Sequence, residues 1–129
     1  LLTIKPLSQV PCIQGDFLVP AVQQAILKQH QNNLFDLIVS DIAPNFGGHA
    51  QSDQLRASAM MVELIACLPA FLKPGGVCLL KSFQGVGFED VLFELRKYFK
   101  KVDVRKPAAS RKESKEIYLL ARGFKGTLN

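Results

Sequence analysis

Two unbroken apolar runs, Leu37-Ile38-Val39 and Val77-Cys78-Leu79-Leu80, constrain the fold of this chain more than any other feature. Each is as short as a strand, and an apolar run without alternation is what a strand covered on both faces requires. Around them the apolar period is that of a helix. Val19, Val22 and Ile26 recur at helical spacing between Leu18 and about His30, and polar Gln31-Asn32-Asn33 closes that segment. A long helix is predicted from Asp53 to about Leu72, with Leu55, Ala59, Val62, Ile65 and Ala66 on its core face and Pro69 kinking its last turn. Lys73-Pro74-Gly75-Gly76 is a stop signal. Phe88, Val91, Leu92, Leu95 and Phe99 mark an amphipathic helix. Further strands are predicted at residues 10–13, 77–83, 101–106 and 116–121. Loops are predicted at 43–51, 84–87 and 107–114, with a frayed tail from Gly123. Strands alternating with helices predict a layered α/β domain, residues 1–129 as one unit, with a mostly parallel sheet.

Composition narrows the function classes. Of 129 residues, 48% are hydrophobic and 21% charged, which argues for a packed core and against disorder. No apolar run approaches the ~20 residues of a membrane-spanning helix. Cys12, Cys67 and Cys78 lack the spacing of a metal site and are odd in number. Reduced thiols, no metal, no leader sequence at Leu1-Leu2 and a cytoplasmic location are the expectations. The net charge of +5 is unevenly spread. Residues 1–95 carry five Lys/Arg against eight Asp/Glu, whereas residues 96–125 carry eleven against three. A basic block of this kind fits a polyanion, most simply nucleic acid, or else it is a solvated face.

Ligands of parallel α/β sheets bind beyond the carboxyl ends of the strands. That rule singles out Asp16, Asp41 and Lys81, two acids and a lysine expected on one rim. An aspartate at a strand end can equally be a turn former or helix cap. Lys81 continues an apolar run, so either it snorkels outward or it is buried beside an anion. A buried lysine can have a lowered pKa and serve as a base. Glu116, opening the last strand, is a weaker candidate.

Six blocks of sequence carry a resemblance. They are Gln14-Gly15-Asp16-Phe17, Ser40-Asp41-Ile42-Ala43-Pro44-Asn45, Lys73-Pro74-Gly75-Gly76, Lys81-Ser82-Phe83-Gln84-Gly85, Val104-Arg105-Lys106-Pro107, and Ser110-Arg111 through Glu116-Ile117-Tyr118. In this order they resemble the FtsJ family of S-adenosylmethionine-dependent 2′-O-ribose methyltransferases of ribosomal RNA, over nearly the whole chain. The resemblance implies a Rossmann-like sheet with helices on both faces and an antiparallel final strand. It implies that Asp41, Lys81 and Glu116 belong to a Lys-Asp-Lys-Glu catalytic tetrad, with Lys81 taking the proton of the ribose hydroxyl. It implies cofactor contacts from Asp16 and Phe17 to adenine, and from Asp41, Pro44 and Asn45 near the methionine end or the ribose. Arg105, Lys106, Arg111, Lys112 and Lys115 would grip phosphates of large-subunit ribosomal RNA.

The first tetrad lysine and the family's glycine-rich cofactor loop are not in these residues, so the chain is expected to be a fragment lacking N-terminal strands and inactive alone. The strands at 35–40, 77–83, 116–121 and 101–106 should pair in that spatial order. The first would then be an exposed edge inviting self-association. The rival readings are a non-catalytic RNA-binding module and a tRNA 2′-O-methyltransferase.

Overall fold

The computed structural model describes residues 12–41, 50–106 and 116–126, without the side chains of residues 50–53. The chain divides into two compact units, Leu1–Leu34 and Phe35–Asn129.

In the first unit, Asp16 opens a turn in which its main-chain carbonyl accepts from Val19 N–H at 3.0 Å. Helix α1, Pro20–Gln29, follows with proline in its first turn, where the missing N–H costs nothing. Val22 and Ile26 are half-buried, and Val19 stands at the N-cap, 43% exposed. Gln31 and Asn32 adopt left-handed backbone (φ 56° and 59°), which ends the helix where the polar triplet predicts. Of the strand expected at residues 10–13, Cys12 and Ile13 lie outside any strand, and Val10 and Pro11 fall outside the described residues.

The second unit is built on four strands: β1 (Phe35–Ser40), β2 (Leu72–Phe83), β3 (Phe99–Arg105) and β4 (Glu116–Phe124). Their spatial order is β1-β2-β4-β3, with β1 parallel to β2 and both other pairs antiparallel. Helices α2 (Ala50–Cys67) and α3 (Phe88–Tyr98) pack on each other and on one face of this sheet. Alternation along the strands builds the core: Cys78 and Leu80 of β2 with Ile117, Leu119 and Ala121 of β4 are fully buried beneath Leu64, Ile65, Val91 and Leu95. The cover expected on the second face is not supplied by these two helices. There Leu37 and Val39 remain 55% and 61% exposed.

Several boundaries differ from expectation. Helix α2 begins at Ala50, inside the expected loop; residues 43–49 of that loop lie outside the described residues. Its core face is Ala57, Met61, Leu64 and Ile65, not Leu55, Ala59, Val62 and Ala66. Leu55, Ala59 and Ala66 are exposed and Val62 half-buried. The helix offers two apolar stripes, and the bulkier one removes more area from water. Pro69 does not kink α2 but sits in a separate 3-10 turn, Leu68–Ala70, and Leu72 already belongs to β2.

Lys73-Pro74-Gly75-Gly76 is a bulge inside β2 and not a loop between elements. Phe35 pairs with Leu72 but Leu37 pairs with Val77, so the extra residues are extruded from the ladder. At the other end, Gly123 and Phe124 are not frayed. They continue β4, and Phe124 stacks at 5.5 Å, tilted, on Phe99, which opens β3 two residues earlier than expected. The loop expected at 107–114 lies outside the described residues.

Candidate active site

Strand register brings the charged side chains together. Ser40 is aligned with Leu80 in the parallel β1-β2 pair, so Asp41 emerges from β1 beside Lys81. In the antiparallel β2-β4 pair, Lys81 faces Tyr118 and Phe83 faces Glu116, which makes Glu116 the diagonal neighbour of Lys81 on one face. The Lys81 Nζ lies 3.0 Å from Asp41 Oδ1 and 3.2 Å from Glu116 Oε2. The lysine side chain is 20% exposed, the glutamate 33% and the aspartate 72%.

This geometry decides between the two readings of Lys81. The side chain neither snorkels freely nor sits neutral in an apolar pocket. Its hydrogen bonds to Asp41 and then Glu116 hold the ammonium above the ordinary lysine range, outweighing the partial loss of water around it. The expectation of a lowered pKa is therefore corrected: two carboxylates outweigh burial, and the resting group is an ammonium.

The same face carries more than the sequence suggests. Arg105 of β3 faces Tyr118 of β4, which faces Lys81 of β2, so Asp41, Lys81, Tyr118 and Arg105 form one row across four strands. Tyr118 lies in one of the six sequence blocks, which assigns it no role; only cross-strand register, which is not local in sequence, reveals it. Arg105 and Lys106 are exposed, with Arg105 Nη2 3.7 Å from Asp103 Oδ2. Arg111, Lys112 and Lys115, like Pro44 and Asn45, lie outside the described residues.

Asp16 and Phe17 belong to the first unit. Asp16 Oδ1 accepts from Leu18 N–H at 2.9 Å, and the carbonyl of Phe17 accepts from Gln23 Nε2 at 2.9 Å. Asp16 is exposed and Phe17 half-buried. Among the described residues there is no cluster of His, Cys, Asp or Glu able to hold a metal ion. Cys78 is inert, its thiol pushed up to about 12 by burial.

Residues 1–124 match the sequence model of the FtsJ-like methyltransferases. The chain belongs to this family. It is 48% identical over 127 residues to the ribosomal RNA large subunit methyltransferase E of Stutzerimonas stutzeri, covering 98% of this chain and 61% of that protein. It is 42% identical over 126 residues to the protein of the same name from Pseudomonas fluorescens, covering 98% of this chain and 60% of that one. The chain thus spans about three fifths of the length of these curated relatives. Among solved structures, a ribosomal RNA methyltransferase from Plasmodium falciparum superposes with a TM-score of 0.83 at 24% identity, over 95% of this chain and 68% of that one. At that identity the likeness establishes the shared FtsJ-like fold, including the mixed α/β sheet. Among the described residues, no helix is long and apolar enough to cross a membrane.

Proposed function

We propose that this chain forms the catalytic part of an S-adenosylmethionine-dependent methyltransferase acting on a ribose 2′-hydroxyl, with a uridine of large-subunit ribosomal RNA as target, in the cytoplasm. The observation that carries the reading is Lys81, an ammonium clasped by two carboxylates at the carboxyl end of a strand. The names of the relatives support a ribosomal RNA substrate.

S-adenosylmethionine supplies, when bound, a methyl group on a sulfonium, open to attack by an alkoxide-like oxygen. Asp16 and Phe17 would hold the adenine end, and Asp41 with Pro44 the region of the reacting methyl. The rest of the work falls to residues of this chain. A hydroxyl is a poor nucleophile until its proton leaves, and Lys81 Nζ is the acceptor. It must first be neutral, so its resting proton departs through the Asp41 side, which at 72% exposure is open to water. On taking the ribose proton, Nζ regains its positive charge between Asp41 and Glu116, which stabilise the product state of that transfer and aim the lone pair beforehand. Arg105 and Lys106 would hold phosphates without reading bases.

The test uses the full-length protein with S-adenosylmethionine and large-subunit ribosomal RNA, with tRNA in parallel. Lys81→Ala should abolish transfer to the ribosomal RNA while leaving cofactor affinity within a few-fold. Transfer by that variant at the parent rate would remove the base from Lys81. Methylation of the tRNA alone would move the substrate class, and RNA binding without cofactor binding would mark a non-catalytic module. We also propose that residues 1–129 studied alone self-associate through β1, a sheet edge in the second unit with Leu37 and Val39 exposed; a monomer in sedimentation would refute it.

A further inference from the structure

The loop that leaves β2 just after Lys81 is held with unusual completeness. Val86, at its tip, has both main-chain polar groups occupied by α2: its N–H donates to Gln54 Oε1 at 3.1 Å, and its carbonyl accepts from Ser58 Oγ at 3.1 Å. The flanking residues fit only as glycines. Gly85 has φ +141°, and a Cβ there would lie 2.8 Å from Gln54 Oε1; Gly87 has φ +87°, and a Cβ there would collide with Ser58 Oγ. Helix side chains, close approaches and hydrogen bonds thus hold this short loop in one conformation. A single exposed valine ordinarily needs no explanation. Val86 differs because its backbone is tied at both ends while its side chain, 40% exposed, is turned to solvent.

Val86 and Lys81 border the same pocket, together with Gln54, Ser58 and Phe83. The cavity volume is about 10 Å³, room for roughly one water. A ligand therefore rests on this rim and does not enter it. The ligand chemistry that suits a fixed aliphatic surface beside Lys81 is a nucleoside, whose base and sugar offer apolar faces.

We infer that Gln54 and Ser58 are positioning residues that hold Val86 as an apolar rest for the RNA nucleoside presented to Lys81. The assignment rests on the function proposed above and adds to it a contact that recognises the nucleoside and not the phosphate. Because the loop is ordered in advance, the contact forms without an ordering cost on binding.

The experiment measures kcat and KM for large-subunit ribosomal RNA in the full-length protein, with thermal unfolding and direct titration of fluorescently labelled RNA. Val86→Ser, and more so Val86→Asp, should raise KM, the latter by about tenfold, with kcat within about twofold, as removal of an apolar surface outside the chemistry requires. Val86→Ile, which keeps the apolar surface, should leave KM near the parent value. Gln54→Ala combined with Ser58→Ala should raise KM in the same direction, and Gln54→Glu, which keeps the acceptor for Val86 N–H, should not. An unchanged RNA affinity in folded Val86→Asp overturns the inference. So does a Gln54/Ser58 double variant that loses kcat and thermal stability together with no KM effect, which would make the latch structural only. Lys81→Ala separates the two readings. If it stays active, the proposed chemistry falls while the RNA titration still judges Val86; if it is inactive and the Val86 variants bind normally, only the rest for the nucleoside is refuted.

Discussion

Two charge clusters share the open face of the sheet and are built in opposite senses. Around Lys81, one cation is held by two anions, Asp41 and Glu116. Elsewhere on that face, Asp103 is one anion among cations: Arg122 Nη2 lies 2.6 Å from its Oδ2, Arg105 Nη2 3.7 Å, and Lys101 adds to the positive field. The first cluster carries a formal surplus of negative charge and the second a surplus of positive charge. Their titrations are displaced in opposite directions. The lysine is held charged above its usual range, and the Asp103 carboxyl is held charged below its own, chiefly by the hydrogen bond from Arg122. The contrast teaches that a central group surrounded by its opposites is pinned in its charged form. Only where the chemistry asks that group to discharge, as at Lys81, does the pinning become a cost to be met during turnover.

The largest effect expected from breaking this contrast is on activity. Lys81→Ala should lower methyl transfer by about 10²–10⁴-fold, the usual loss on removing a positioned base. Arg122→Ala should leave transfer within a few-fold at saturating RNA, and a comparable loss from both would erase the distinction. Next comes the pH profile. If neutral Lys81 is the reactive form, the rate should climb with pH through the neutral and alkaline range, since the folded-state pKa is raised. Glu116→Gln removes one anion and should shift the rise to lower pH. A flat profile in both proteins would show that Lys81 does not act as the base.

A third effect is on RNA binding. Reversing Arg105, Lys106, Arg111 and Lys112 to Glu should weaken binding and flatten its salt dependence, by about 0.7 in log–log slope for each single-strand phosphate no longer neutralised. An unchanged slope would leave these residues a solvated face. The smallest effect is on stability. Asp103 has a depressed folded-state pKa, so its contribution is present above the unfolded value of 3.8 and is lost as pH falls through the folded one. Asp103→Asn should lower Tm slightly at neutral pH, with the difference closing in acid. Lys81 has the reverse sign: its contribution is present below 10.5 and is lost only as pH rises through its raised value. Thermal melts of Asp103→Asn and the parent across pH 2–8 (an approximate range, about two units below and four above the carboxyl reference) would expose any inversion of this order.

Local chemistry made the strands at residues 35–40 and 116–121 and helix α3 legible, because in each the apolar period matches one structural period and few alternatives compete. Matching blocks of sequence named Asp41, Lys81 and Glu116 as partners, and the register brought those three side chains together. The rest depended on which surfaces meet. Helix α2 offers two apolar stripes, and only contact with the sheet selected Met61 and Leu64, beside the expected Ile65, over Leu55, Ala59 and Ala66. Lys73-Pro74-Gly75-Gly76 reads as a stop in any sequence window, yet β1 pairs with residues on either side of it and makes it a bulge. Gly123 and Phe124 read as a tail until Phe99 supplies a partner. The charge state of Lys81 followed the same logic. Sequence placed an ammonium in an apolar run, where burial would discharge it; the register of β1 and β4 set two carboxylates within 3.0 and 3.2 Å, and at those distances attraction to the charged form outweighs the water given up on burial.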